Sequence, residues 1–227
     1  MSMKQRELEG IMIKKITTTT LGIFFFLLTA VGMASAFSVD LTYPNDPGMP
    51  IMTYGTVTGT VDGSSSSLFH FNVDLAPGLS STLGGGNNFG IDKFFFNTDL
   101  SLTSTMFTNF DPAVWNIAYN KNAAGFGNFD VQLAAPGTPR ADHLYFDINY
   151  TSPVSESDFL LLSDNHTGLR QGDGQFAAHV AGFDYNGVGS TYVRDGAGPA
   201  PVPEPSTLLL LGSGLIGLFL YRRRVKV

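Results

Sequence analysis

Apolar and polar residues alternate along the middle of the chain, and this alternation predicts β-strands. In the segment 68–75 (LFHFNVDL), Phe69, Phe71 and Val73 fall on one face while the residues between them are polar. The segments 128–134 and 143–150 repeat the pattern, with Asp147 and Asn149 on the polar face of the second. Seven further short strands are predicted at 53–61, 91–97, 100–107, 114–119, 159–162, 176–183 and 191–194.

Turn-forming residues separate these segments. Glycine, proline, aspartate and asparagine are concentrated at 61–64, 76–78, 84–88, 135–137 and 172–174, and the Ser64–Ser67 and Gly84–Gly86 runs are interpreted as loops. Between residues 37 and 195 no long helical stretch interrupts the strands. We therefore predict one all-β domain over residues 37–195, an antiparallel two-sheet sandwich with jelly-roll-like connections.

The first 36 residues have the organisation of a secretory signal peptide. Lys14 and Lys15 precede an apolar run at 21–31, and small residues ending in Ala34-Ser35-Ala36 follow it. This order predicts export through the Sec translocon and cleavage by signal peptidase after Ala36. Translation from either Met1 or Met12 would provide such a signal.

The chain ends in a second apolar run that is short for a membrane span. A helix over residues 207–221 would extend about 20–22 Å, whereas the hydrocarbon core of a bilayer is about 30 Å thick. The basic tail, residues 222–227, begins with Arg222, Arg223 and Arg224, a positive stop on the cytoplasmic side. These features predict a short transmembrane helix that anchors the protein transiently in the inner membrane. Residues 196–201, rich in Gly, Ala and Pro, form the predicted spacer to the domain.

A proline-flanked glutamate lies just before this helix. The sequence Val202-Pro203-Glu204-Pro205, followed by the apolar run and the arginines, closely resembles the PEP-CTERM sorting domain of Gram-negative bacteria that make exopolysaccharide. The resemblance implies that residues 202–227 form a sorting signal, recognised at Pro-Glu-Pro by a membrane-embedded exosortase that removes the tail. It implies an inner-membrane precursor and a product at the cell surface or outside the cell. The prolines favour an extended segment, which a processing enzyme can bind.

Charge and composition exclude several function classes. Residues 37–201 contain 16 acidic and 5 basic residues, a net charge of −11, so this region lacks the clustered cations that bind nucleic acid. The chain has no cysteine, which excludes thiol chemistry and Cys-based zinc sites. Its four histidines form no H-E-x-x-H motif, and neither a metal site nor a cofactor is predicted.

No catalytic residue is predicted either. The strained Gly-x-Ser-x-Gly turn of serine hydrolases is missing, and no aspartate has an apolar setting that would suggest a raised pKa. His70 and His143 are expected to be solvated or rim histidines, and Trp115 is interpreted as a core residue rather than a sugar platform. The segments 164–168 and 173–174 offer oxygen ligands for calcium, but their spacing favours a plain Asx turn.

Two hypotheses about function follow. The favoured one is an exported, non-enzymatic surface or extracellular-matrix protein, sorted by an exosortase and associated with exopolysaccharide or biofilm. The alternative is a secreted polysaccharide-active hydrolase that uses a pair of aspartates, because two suitably spaced carboxylates are sufficient for glycoside hydrolysis.

Overall fold

The computed structural model describes residues 36–164 and 172–196, together with Gly214. Its strands are β1 (Ala36–Pro44), β2 (Gly55–Val61), β3 (Leu68–Leu75), β4 (Gly85–Phe96), β5 (Phe107–Asp111), β6 (Asn116–Asn122), β7 (Asn128–Ala134), β8 (His143–Asn149), β9 (Phe176–Tyr185) and β10 (Val188–Asp195). One short helix, α1 (Leu79–Leu83), and 3₁₀ turns at Ser104–Met106 and Glu156–Phe159 complete the described elements. None of the helices in this part of the chain is long and apolar enough to cross a membrane.

All ten strands join one antiparallel sheet, in the order β5-β8-β3-β2-β1-β10-β9-β4-β7-β6. The prediction of an all-β domain with antiparallel strands is thus confirmed. Two separate sheets and jelly-roll connections are not confirmed, because β1 pairs with both β2 and β10 and makes the sheet continuous from edge to edge.

The sheet is strongly curled, as its connections require. The edge strands β5 and β6 are joined by only four residues, 112–115, which together with their flanking bonds span at most about 18 Å. In a flat sheet of ten strands, the two edges would lie about 43 Å apart. The sheet must therefore bend back on itself, and the rings of Phe71 in β3 and Phe96 in β4 indeed approach to 5.2 Å although four strands lie between them in the sheet.

Phenylalanine rings fill the inner face of the curled sheet. Phe71 stacks on Phe146 of the neighbouring strand at 4.9 Å and also contacts Phe94 and Phe176 from the opposite side. The rings in this core are all nearly or completely buried: Phe37, Phe69, Phe71, Phe94, Phe96, Phe146, Phe159 and Phe176. The alternation predicted for β3 and β8 is confirmed, since their apolar residues face this core.

Several predicted elements were wrong or missed. The segments 100–107 and 159–162 form no strand over most of their length, and 3₁₀ turns occupy or adjoin them. In the second turn, the Ser155 backbone N–H donates to Asp158 Oδ2 at 2.7 Å, a capping interaction that stabilises the turn over an extended chain. β1 was not predicted, although Phe37, Val39 and Leu41 alternate inward along it.

The glycine run at 84–86, predicted as a loop, contributes Gly85 and Gly86 to β4. β4 pairs with β9 through register shifts, and Gly182 of β9 adopts a positive φ of 86° opposite this irregular region. Glycine accepts that conformation at no steric cost, which lets the two strands stay paired around the bulge.

The last strand, β10, lies in the middle of the sheet between β1 and β9. At its end the Asp195 carboxylate accepts backbone hydrogen bonds from Gln175 and Phe176 at 2.8 and 3.0 Å. The guanidinium of Arg194 lies over the rings of Tyr43 and Phe126, at 5.0 and 5.6 Å. The folded domain is therefore held firmly up to the residue that precedes the predicted spacer.

Candidate functional site

A polar pocket of about 300 Å³ opens where β4 ends and β7 begins, near the edge strand β6. The lining combines amides, carboxylates and apolar side chains: Asn97, Asn120, Asn128, Phe129, Asp130, Leu161, Leu162 and Asp164. We call this the amide-lined pocket. Its size lies at the lower end of the range for small-molecule sites.

The base of the amide-lined pocket is fixed by hydrogen bonds. The backbone N–H of Asp130 donates to Asn97 Oδ1 at 3.0 Å, and the Asn97 Nδ2 donates to the carbonyl oxygen of Leu161 at 3.3 Å. The Asp130 carboxylate in turn accepts from the backbone N–H of Thr98 at 3.0 Å. These bonds hold both side chains in one orientation, although Asn97 follows the end of β4 and Asp130 lies on β7.

The rim of the pocket offers polar groups to solvent. Asn120 adopts a left-handed backbone with φ of 54°, and asparagine tolerates this region better than most residues. Asn122 Nδ2 donates to Asn128 Oδ1 at 3.2 Å, which leaves the Nδ2 group of Asn128 as a donor toward the pocket. Asp164 is joined to Asn128 through their backbones, and Leu162 next to it is 57% exposed.

A second polar cluster lies around His70 on the outer face of the sheet. His70 Nδ1 is 2.6 Å from Asp147 Oδ1, and its Nε2 is 3.1 Å from Asp62 Oδ2. The Tyr145 hydroxyl lies 2.9 Å from the same Nδ1, and Asn109 Nδ2 donates to the second oxygen of Asp147 at 2.6 Å. His70 is 27% exposed, which fits the expected solvated or rim position, but the carboxylate partners of both its nitrogens were not predicted.

These contacts favour the charged forms of His70, Asp147 and Asp62. Burial alone would lower the pKa of His70, but the carboxylates of Asp147 and Asp62 outweigh it and raise that pKa. Burial opposes ionisation of Asp147 too, yet hydrogen bonds from Tyr145, Asn109 and His70 lower its pKa. Hydrogen bonds from Ser64 and His70 lower the pKa of Asp62. Burial, together with the nearby Asp147 carboxylate, raises the pKa of Tyr145 to about 12.

A third cluster surrounds His179 in β9, on the other half of the outer face. His179 Nδ1 lies 2.9 Å from Asp92 Oδ2, while Arg140 Nε donates to Asp92 Oδ1 at 2.8 Å. The imidazole stacks on Tyr192 with ring centroids 4.3 Å apart. Burial lowers the pKa of His179 despite Asp92, and the Arg140 cation further disfavours a charged imidazole. Burial would raise the pKa of Asp92, but hydrogen bonds from His179 and Arg140 lower it.

Two other titratable groups differ in exposure. His143 is 43% exposed, and its hydrogen bond with Asp142 raises its pKa. Asp195 is 1% exposed, and burial raises its pKa in spite of the backbone hydrogen bonds that it accepts. The expectation that no aspartate has a raised pKa is wrong at this position, because the tertiary structure, not the local sequence, buries the carboxyl group.

The predicted site residues lie mostly outside the described residues. This holds for Ala34, for the motif Val202-Pro203-Glu204-Pro205 and for Arg222, Arg223 and Arg224, while Ala36 is the first residue of β1. Of the segments considered for calcium binding, residues 165–168 also lie outside the described residues, whereas Asp164 lines the amide-lined pocket. Trp115 is 8% exposed and belongs to the core, as predicted. Within residues 36–164 and 172–196, no three histidine or acidic side chains are grouped so that they could hold a metal ion.

Sequence reasoning missed the amide-lined pocket and the partners of both histidines. The pocket collects residues from four separate segments between 97 and 164, and none of these segments carries a motif. Asp147 is 77 residues from His70 and Asp92 is 87 residues from His179 in the chain, whereas Asp62 is only 8 residues from His70. The outward positions predicted for His70 on β3 and Asp147 on β8 were the only features of the sequence that indicated a contact between these side chains.

Comparison with known proteins identifies the tail. Residues 201–224 match the model of the PEP-CTERM protein-sorting motif. No curated protein sequence is significantly similar to the chain. One solved structure, from work on the pH-induced modulation of Streptococcus parasanguinis adhesion by Fap1 fimbriae, is 13% identical, with a TM-score of 0.36 over 73% of this chain and 96% of the other. A TM-score this low does not establish a shared fold.

The chain thus carries a PEP-CTERM sorting motif at its C-terminal end. The motif indicates an exported surface protein that is processed by an exosortase, and it implies delivery to the cell envelope or cell surface.

Proposed function

We propose that this chain is an exported, non-enzymatic surface or extracellular-matrix protein that associates with exopolysaccharide after an exosortase has processed its tail. The observation that carries the proposal is the sorting motif at residues 201–224. The precursor is held in the inner membrane by the apolar run, and the mature protein is displayed or released. Signal peptidase removes the leader, and the ten-stranded domain is the part that functions outside the cell.

The charges around His70 support a non-catalytic domain. A glycosidase that works through two carboxylates needs one of them protonated near neutral pH, which requires a raised pKa. Asp62 and Asp147 flank His70, but contacts with their neighbours lower the pKa of both. The aspartate pair of the alternative, a secreted polysaccharide hydrolase, would therefore lack its acid at this place.

Asp195 does not supply that acid either. Its pKa is raised, but the carboxyl group is buried and one of its oxygens already accepts two backbone hydrogen bonds. A proton donor has to reach the leaving-group oxygen of the substrate. This carboxyl group instead anchors the end of β10.

The sorting part of the proposal is tested in the producing cell. Glu204→Ala, or deletion of residues 222–224, should leave an unprocessed precursor in the inner membrane, seen by immunoblot of membrane, surface and medium fractions. Replacement of the three arginines by lysine is the matched control, because it keeps the positive stop and should be processed. Normal release of the Glu204→Ala variant and of the deletion variant would contradict the proposal.

The non-enzymatic part is tested with the mature protein recovered from the medium. Incubated with exopolysaccharide from the producing cells, it should sediment with the polymer and release no new reducing ends. Catalytic release of reducing ends that is lost in the Asp62→Asn or Asp147→Asn variant would favour the hydrolase instead.

A further inference from the structure

We propose that the amide-lined pocket binds one neutral sugar residue of a glycan chain, an inference that rests on the proposed association with exopolysaccharide. In this pocket, side-chain donors and acceptors from β6, β7 and two further segments line a common space of ligand size.

The polar groups of the pocket match the hydroxyl groups of a sugar. A hydroxyl donates one hydrogen bond and accepts others, so neighbouring hydroxyls need acceptors and donors side by side. The carboxylates of Asp130 and Asp164 can only accept when ionised, whereas the Asn128 Nδ2 group donates and the Asn120 amide can do both. A polyhydroxylated ring can use all four groups at once.

The charge of the pocket selects against anions. Among the described residues, its lining includes the carboxylates of Asp130 and Asp164 and neither lysine nor arginine. A phosphate, sulfate or uronate group would be placed beside the negative charges of these two carboxylates. A neutral hexose has no such penalty.

An apolar wall completes the pocket. Leu162 is 57% exposed, and Leu161 and Phe129 line the same space. The C–H face of a sugar ring can cover this surface while its hydroxyls contact the amides and carboxylates, because burial of apolar area contributes favourably without direction.

The pocket is also organised before any ligand arrives. Asn97 is 4% exposed and is tied to both Asp130 and Leu161, so the base of the pocket does not need to be ordered on binding. A preformed site loses less conformational entropy when it binds, which is useful where each sugar supplies only a few contacts.

The test uses the mature protein from culture medium. The probes are neutral oligosaccharides from partial hydrolysis of the producing cells' exopolysaccharide, together with cellopentaose and maltopentaose, and an oligogalacturonate of equal length as the anionic comparison. Binding is measured by calorimetry and by shifts of the asparagine side-chain amide signals in NMR spectra.

Asn120→Ala and Asn128→Ala should each weaken neutral-sugar binding about tenfold, since each removes one or two hydrogen bonds. Asn116→Ala is the matched control, because Asn116 is exposed on the same strand β6 but does not line the pocket.

The possible outcomes test the pocket assignment and the proposed function separately. Weaker binding in the two pocket variants with an unchanged Asn116→Ala control supports the proposal. Unchanged binding in the pocket variants, or no binding of any neutral probe by a protein that still sediments with exopolysaccharide, overturns the pocket assignment and leaves the proposed function standing. Signal shifts with calcium chloride alone and none with sugars would make it a cation site and would overturn the proposal as well. A protein that no longer sediments with the polymer would refute the proposed function itself.

Discussion

His70 and His179 both lie on the outer face of the sheet beside an aspartate, yet their pKa values move in opposite directions. His70 is 27% exposed and has a carboxylate on each nitrogen, so its pKa is raised. His179 is 15% exposed and shares the Asp92 carboxylate with Arg140, so burial lowers its pKa. An aspartate partner alone does not decide the charge of a histidine. Burial and a competing cation decide it.

The negative charge of the aspartates is therefore balanced by different groups in the two clusters. Around His70, the carboxylates of Asp62 and Asp147 favour the charged form of the imidazole. Around His179, Arg140 already balances Asp92, and the neutral imidazole packs against Tyr192. The first cluster depends on protonation of its histidine, and the second depends on its arginine.

Removal of Asp92 should have the largest effect. Asp92→Ala leaves Arg140, 19% exposed, without its carboxylate partner, and loss of one member of a largely buried pair costs about 3 kcal/mol. Urea unfolding would measure this loss of stability. The exposed Asp99→Ala is the control and should change stability by less than about 0.5 kcal/mol. A loss below about 1 kcal/mol in Asp92→Ala would mean that the pair is not a structural contact.

Asp147→Asn should have a smaller effect on stability and a clear effect on His70. The side chain keeps its shape but loses its charge, which weakens the charged hydrogen bonds from His70 and Asn109 and costs about 1–2 kcal/mol near pH 6. The pKa of His70, followed by NMR of the imidazole proton, should fall, whereas the pKa of His179 should stay unchanged. A fall in both would show that the two clusters are coupled.

The pH dependence of stability should separate the two histidines. The raised pKa of His70 gives stabilisation that is fully present below the unfolded pKa of about 6.5 and is lost as the pH rises through the folded pKa. The lowered pKa of His179 gives stabilisation that is present above about 6.5 and is lost as the pH falls through the folded pKa. The free energy of unfolding, measured with urea from pH 5 to 8, should therefore fall less towards alkaline pH in His70→Gln than in the parent protein. In His179→Gln it should fall less towards acidic pH. The reverse pattern would show that the protonation states are assigned wrongly.

Asp142→Asn beside His143 should have the smallest effect. Both side chains are well exposed, 79% and 43%, so solvent screens their interaction and stability should change by less than about 0.5 kcal/mol. The pKa of His143 should fall slightly, and 0.5 M NaCl should remove most of the difference between variant and parent. A loss above about 1 kcal/mol would show that this pair is less exposed in solution.

The faces of individual strands could be predicted from sequence, whereas their assembly could not. Alternating residues in β3, β7 and β8 identify the core positions because side chains in a strand point to opposite faces in turn. The same alternation fits two stacked sheets or one curled sheet. The choice depends on β1 pairing with β10, whose residues are about 150 positions apart, and no local pattern records that contact.

The functional sites show the same limit. The sorting signal could be predicted because its motif, apolar run and arginines are contiguous in the chain. The amide-lined pocket could not be predicted, because its asparagines and aspartates belong to no motif and come together only when four separate segments meet in the fold.

The central place of β10 has a mechanical consequence. A pulling force applied at the C-terminal end of the chain reaches the domain through this strand, which pairs through hydrogen bonds with β9 along most of its length and with β1 at residues 193–195. Tension along the strand loads those bonds in shear, so many of them must break together before the domain yields, whereas an edge strand could be peeled away one bond at a time.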